Sequence, residues 1–131
     1  MFVGYQTSTS VGASSPYLWT TKYLTNNNIT YDSTTGTFTI RAPGWYEISM
    51  DTSAAAAAGE ITPTLYINGV ASTYALATAN STAITDFRSI KFSTVVYVAP
   101  TATSSNATLQ IINTGLAATT KASNITIKRI G

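Results

Sequence analysis

Residues 31–50 read YDSTTGTFTIRAPGWYEISM, a stretch with only three charged side chains, Asp32, Arg41 and Glu47. Turn signals and apolar-periodic runs alternate along it. After the turn STTG, which ends on Gly36, the run TFTIR places Phe38 and Ile40 on one face. APG then interrupts the ladder, because Pro43 has no N–H to donate and Gly44 tolerates positive φ. The chain resumes as WYEISM, with Tyr46, Ile48 and Met50 on one side and Trp45, Glu47 and Ser49 on the other. A period of two is the pattern of a half-buried strand.

The same pattern extends in both directions. Upstream, YLWTTKYL (17–24), the polar TNNN and ITYD lead into the turn. Downstream, DTSAAAAAGE (51–60) is the one helix-like stretch, since Ala is the best helix former and Gly59 offers a cap. Five alanines make only about a turn and a half, which is marginal in water. A small-residue strand end or loop, packed closely against a neighbour, is therefore expected. In ITPTLYINGVASTYAL (61–76), Asn68-Gly69 lies between alternating TLYI and VAST and predicts a two-residue hairpin with positive φ at both central positions. ITDFRSIKFSTVVYVAP (84–100) predicts a long strand, with Ile84, Ile90, Phe92, Val96 and Val98 on one face and Phe87, Val95 and Tyr97 on the other. Apolar residues on both faces imply that both are covered. ATLQIINTG and SNITIKRIG supply two closing strands, and many short strands at nearly even spacing define an all-β sandwich or barrel.

The first sixteen residues are rich in Ser, Thr and Gly and close on Pro16. They fit a flexible arm or linker, and they also fit a first edge strand built on Phe2, Val3 and Tyr5. We assign 1–16 to an arm that tethers the protein to something larger, and 17–131 to a single domain, the number that 131 residues implies.

Composition narrows the function. Charged residues are 9% of the chain, against roughly 25% in typical soluble domains. Thr, Ser, Asn and Ala take their place, a balance common in adhesins, virion proteins and other exported shells. The net charge is +2, and the basic residues Lys22, Arg41, Arg88, Lys91, Lys121, Lys128 and Arg129 are scattered. Nucleic-acid binding needs them clustered. With no Cys and no His, the usual metal ligands, general bases and activated nucleophiles are missing. The carboxylates Asp32, Glu47, Asp51, Glu60 and Asp86 have ordinary explanations: Asp32 precedes a turn and Glu47 alternates onto an exposed face. No EF-hand-like calcium loop and no phosphate-binding glycine loop is present. We therefore expect no catalytic residue, no cofactor and no metal. No window approaches the roughly 18 apolar residues of a membrane span, and the N-terminal residues lack a signal-peptide pattern. Synthesis in a host cytoplasm and release by lysis would fit. Four Asn-x-Ser/Thr triplets begin at Asn28, Asn80, Asn106 and Asn124, as chance alone would produce in so Thr- and Ser-rich a chain.

The opening stretch resembles the signature of the complement globular-head and tumour-necrosis-factor jelly rolls, also found in phage virion proteins and bacterial spore-surface glycoproteins. Tyr31, Asp32, Gly36, Phe38, Pro43, Gly44 and Tyr46 carry the likeness. TLYINGV is similar to that family's strand ending in Asn-Gly, and SNITIKRIG looks like the last strand of spore-surface and phage versions. The residues that carry these likenesses all have structural roles, with Gly36, Pro43, Gly44, Asn68 and Gly69 at turns and Phe38 and Tyr46 in the core. The resemblance implies a jelly-roll sandwich of about ten antiparallel strands, assembled as a homotrimer about an apolar axis. We expect Trp19, Tyr66, Phe87, Val95 and Tyr97 at the subunit interface. No collagen-like stalk precedes the domain here, and the acidic calcium positions of some members are not recognisable. Fold alone does not choose a role, but the missing signal-peptide pattern, short polar arm, low charge and single domain best fit a non-enzymatic bacteriophage virion protein, a head fibre, capsid decoration or fibre tip, bound to a capsid or tail protein through its arm. The alternative is a host-surface or carbohydrate recognition module whose outward loops, including the Asn-Gly hairpin and 77–83, meet a host glycan.

Overall fold

The computed structural model describes residues 1–25 and 28–131. Part of the TNNN segment, Asn26 and Asn27, lies outside the described residues. The strands are β1 (Phe2–Gln6), β2 (Thr9–Val11), β3 (Thr20–Leu24), β4 (Ile29–Asp32), β5 (Thr37–Ile40), β6 (Gly44–Ala56) and β7 (Gly59–Ile61). They continue with β8 (Pro63–Ile67), β9 (Val70–Leu76), β10 (Ala79–Ser81), β11 (Arg88–Val98), β12 (Ala107–Asn113) and β13 (Ala118–Arg129). Two five-strand ladders, β11-β6-β13-β1-β3 and β4-β5-β12-β8-β9, face each other as a jelly-roll sandwich, and together they supply the ten strands expected. β2 adds to β13, making the first sheet six-stranded, and β7 pairs with β10 at one end.

The stretch 31–50 forms β4, a turn, β5, a corner and the first half of β6. Asp32 serves the turn as expected: its Oδ1 accepts the Thr34 N–H at 2.8 Å and its carbonyl accepts the Gly36 N–H at 2.9 Å. The Thr34 N–H bond holds the Asp32 carboxyl below its ordinary range. Gly36 has a φ of 70°, and a Cβ there would lie 2.9 Å from the Tyr17 carbonyl oxygen. At the Pro43 corner, the Tyr46 hydroxyl donates to the Ala42 carbonyl at 2.6 Å. Tyr46 is otherwise wholly enclosed, so this bond satisfies its polar end. Gly44 begins β6 where the chain end runs past it: Trp45 N–H donates to the Gly131 carbonyl at 2.8 Å, and a Cβ on Gly44 would sit 2.3 Å from that oxygen and 2.8 Å from Arg129 Nε. Gly44→Ala should therefore destabilise the fold by about 2 kcal/mol or more. Chemical denaturation would read this as a lower midpoint at an unchanged m-value.

The main core is built from both sheets. Phe2, Tyr31 and Phe38 form an aromatic knot, with Phe2 4.8 Å from Phe38 edge-on and Tyr31 4.5 Å from Phe38. Ile48, Met50, Val96, Val98, Leu109, Ile111, Ile125 and Ile127 surround it. A second cluster of Ala54, Ala56, Ile61, Ile90 and Ala118 fills the end near β7 and β10.

The alanine run is strand over 54–56, which complete β6, and bends at 57–58; β13 pairs along the strand part and β11 as far as Ala54. The β13 ladder and the Ser81 hydroxyl satisfy its backbone, and only small side chains fit where Ala54, Ala55 and Ala56 are buried. The Asn68-Gly69 hairpin also forms, with φ of 52° and 78° as a type I′ turn requires. Two strand boundaries shift. The 17–24 run becomes strand only from Thr20, because 16–19 cross between the sheets: Pro16 bridges Ile112 and Tyr17 N–H donates to the Ile111 carbonyl. The 84–100 strand starts at Arg88, leaving Ile84 exposed in a loop.

The assignment of 1–16 to an arm is corrected. β1 lies between β13 and β3, paired along its length from Phe2↔Ile127 to Gln6↔Ser123, and Phe2 is fully buried. β2 pairs with β13 through Val11↔Ala118. The strand on Phe2, Val3 and Tyr5 forms, but inside the sheet rather than at its edge. Two hydrogen-bond ladders and an enclosed aromatic outweigh the weak local preference of a Ser- and Gly-rich segment.

Candidate functional site

The open face of the six-stranded sheet carries the molecule's distinctive surface. Alternation sends residues between the core positions outward, and directly opposed residues share a face. The register gives four rows across the sheet. Tyr97 opposes Trp45, and Val95 is followed by Glu47 and Lys128. Ser93, Ser49, Thr126, Val3 and Tyr23 form the third row, and Lys91, Asp51, Asn124 and Tyr5 the fourth. One corner is apolar: Trp45 is 50% exposed, Tyr97 54% and Val95 50%, with the two rings edge-on at 5.4 Å. Exposed Tyr5 and Tyr23 mark the opposite side, up to roughly 19 Å away across the strands.

Between these regions the face is polar. Ser49 and Ser93 hydroxyls meet at 3.0 Å, and Asn124 Nδ2 donates to Asp51 Oδ1 at 3.2 Å. Ser49, Asp51, Lys91, Ser93, Asn124 and Thr126 line a shallow depression of about 420 Å³. Glu47 opposes Lys128 and Asp51 opposes Lys91, yet among the described residues the one ion pair is Arg88–Asp86. The face thus offers two apolar regions separated by a strip of hydroxyl, amide and uncoupled charge. Its chemistry is that of contact and hydrogen bonding. Among the described residues no three carboxylates converge as metal ligands.

The residues expected at an interface do not form one patch. Val95 and Tyr97 share the apolar corner. Trp19 is corrected: it is 3% exposed and packs in the core, stacked 6.1 Å from Tyr17, so its ring presents no area to a second subunit. Tyr66 opposes Gln110 on the outer face of the other sheet. Phe87 is half-buried before β11, with Lys121 Nζ 4.2 Å above its ring. Trp45 belongs to the patch and was missed, although its alternation with Tyr46 already put it on the open face. Tyr5 was hidden by the arm assignment.

At the far end of β11, Asp86 pins its loop. It accepts Arg88 Nε and Nη2 together with the amide and hydroxyl of Thr82 at 2.8–3.1 Å. The bond from Arg88 first, then those from Thr82, lower its pKa to about 2. A depressed carboxylate contributes its stabilisation above the ordinary value and loses it as pH falls through about 2. Carboxyl-carbon NMR should put the Asp86 midpoint near 2, and Arg88→Gln should move it up toward 3.8.

The C1q domain pattern matches residues 1–102, a span that includes the segment which reads as an arm. No curated protein matches the chain. Among solved structures, the chain is similar to the Eiger TNF of S. frugiperda, with a TM-score of 0.74 at 12% identity over 99% of this chain and 93% of that one. It is similar to the PRD1 vertex protein P5, with a TM-score of 0.65 at 14% identity over 99% and 96%. Murine APRIL follows with a TM-score of 0.60 at 8% identity over 95% and 97%. At these identities the structures share the fold alone, whereas the pattern match covers well over half of the residues. The sandwich is a TNF-like jelly roll, and the chain belongs to the C1q domain family.

Proposed function

We propose that this protein is a non-enzymatic structural component of a bacteriophage virion, a head fibre, capsid decoration or fibre tip, assembled as a homotrimer through the open face of its six-stranded sheet. The observation that carries the trimer is the apolar corner of Trp45, Val95 and Tyr97, half-exposed and contiguous in a single subunit. Each aromatic leaves on the order of 100 Å² open, and with Val95 the two form a contiguous apolar patch of the kind that marks an interaction site. Two apolar regions at opposite sides of one face suit a head-to-tail contact, in which one region meets the other on a neighbour and the ring closes. The low charge and the shape shared with a vertex protein support the virion setting.

Because residues 2–11 are woven into the sheet, attachment to a capsid or tail protein would use the sandwich's own surface. The alternative role, recognition of a host surface or glycan, is favoured by the exposed Val70 and Tyr74 on the outlying strand β9, which leave an aromatic available to stack on a sugar. Light scattering of the purified protein at micromolar concentration tests the assembly, and a monomer there would remove it. Immunogold labelling of particles tests the virion setting, and a glycan array tests recognition.

A further inference from the structure

We propose that Asn68 is a site of spontaneous covalent modification, held unreactive only while the β8–β9 hairpin tip is docked, so that its carboxamide is a one-way latch on the segment between β11 and β12. Asn68-Gly69 is the single Asn-Gly pair in the sequence. Such a pair is chemically labile, since no side chain on the glycine hinders attack of its backbone nitrogen on the asparagine side chain. At Gly69 the tip is also sterically open, with nothing within 4 Å of where a Cβ would be.

The structure engages Asn68 three times. Its backbone N–H donates to the Thr108 carbonyl at 2.9 Å, and its Oδ1 accepts the Thr108 N–H at 2.9 Å. Its Nδ2 donates to the Ala99 carbonyl at 2.9 Å. Ala99 follows β11 and Thr108 is the second residue of β12, so one side chain clamps both ends of the exposed run 101–105. A turn residue needs only positive φ, and these tertiary bonds exceed that requirement.

The reaction balances without a co-reactant other than water. Gly69 N gives its proton to solvent and bonds to Asn68 Cγ; the Cγ–Nδ2 bond breaks and the nitrogen leaves as ammonia, forming a succinimide. Water opens the ring to an aspartyl or isoaspartyl linkage. Attack requires the carboxamide to turn toward Gly69 N, and both side-chain hydrogen bonds resist that turn. Once formed, the product has oxygen where Nδ2 donated to Ala99, so carbonyl and carboxylate repel and the tip cannot dock as before. The isoaspartyl form adds a backbone carbon to a two-residue turn and spoils its register as well. Each opening of the tip thus risks permanent release of 99–106.

The test compares the intact protein with the same chain in guanidinium chloride at equal pH and temperature, following Asn68 by peptide mapping and mass spectrometry. Two hydrogen bonds, each worth about a factor of five, predict a native rate roughly 30-fold slower. Pro100→Gly, which frees the Ala99 carbonyl without touching the reacting atoms, should accelerate native conversion several-fold. Asn68→Asp should speed hydrogen exchange at the Thr108 amide while leaving that of Ile48 and Ile127 slow. Equal native and unfolded rates, an unchanged rate in Pro100→Gly, or an unchanged Thr108 amide in Asn68→Asp would each overturn the latch.

Discussion

Deleting residues 1–6 should leave the chain without a cooperative unfolding transition. β1 lies between β13 and β3, so its loss strips hydrogen-bond partners from both and turns the inner flank of β13 into an open edge. It also removes Phe2, which closes the knot with Tyr31 and Phe38. Replacing a fully buried phenylalanine by alanine costs about 3–5 kcal/mol, and a domain of this size has only about 5–15 kcal/mol in all. Phe2→Ala alone should therefore lower the melting temperature by many degrees, and the deletion should exceed what remains. Circular dichroism melts and amide exchange of β13 would measure both. A truncated chain that melts like the intact one would return the segment to the role of a tether.

Tyr97→Lys should convert the proposed trimer to monomer with little change in subunit stability. Tyr97 projects from β11 beside Trp45 on the open face, with its ring about half exposed. Covering the exposed half of the ring is worth about 2.5 kcal/mol per contact at 25 cal/mol per Å². The substitution removes that and asks the interface to desolvate an ammonium. Since 1.4 kcal/mol is tenfold in affinity, and a closed trimer repeats the contact around its ring, dissociation should be complete at micromolar concentration. Tyr74→Lys is the control: it alters a still more exposed tyrosine on the outlying strand of the other sheet and should leave the proposed trimer intact. Light scattering with a parallel thermal melt separates loss of association from loss of fold. A Tyr97→Lys protein that remains trimeric would move the interface elsewhere.

The two substitutions probe different kinds of information in the chain. Tyr97 and Val95 were legible as outward residues because period-two alternation assigns faces without reference to any neighbour. Trp45 was legible in the same way, from its place beside Tyr46. The stretch from Tyr31 to Met50, the Asn68-Gly69 hairpin and the Asp32 turn were determined by the sequence alone, because each depends on local sterics: a ring-locked φ, a missing Cβ, a short carboxylate facing its own backbone.

Neighbouring strands, by contrast, meet across long sequence separations, and alternation does not say which one pairs with which. That Phe2–Gln6 pairs with β13 across more than a hundred residues was decided only by tertiary structure. Gly4 is the clearest instance. In sequence it reads as a linker glycine, but in the fold a Cβ there would meet the Phe2 ring at 2.8 Å, Trp19 Cβ at 3.1 Å and Ile125 at 3.2 Å. The space its side chain would need is filled by Phe2, Trp19 and Ile125, and Trp19 itself is buried in the core. Local chemistry set the turns and faces, and close packing between distant segments determined which strands join and which aromatics stay outside.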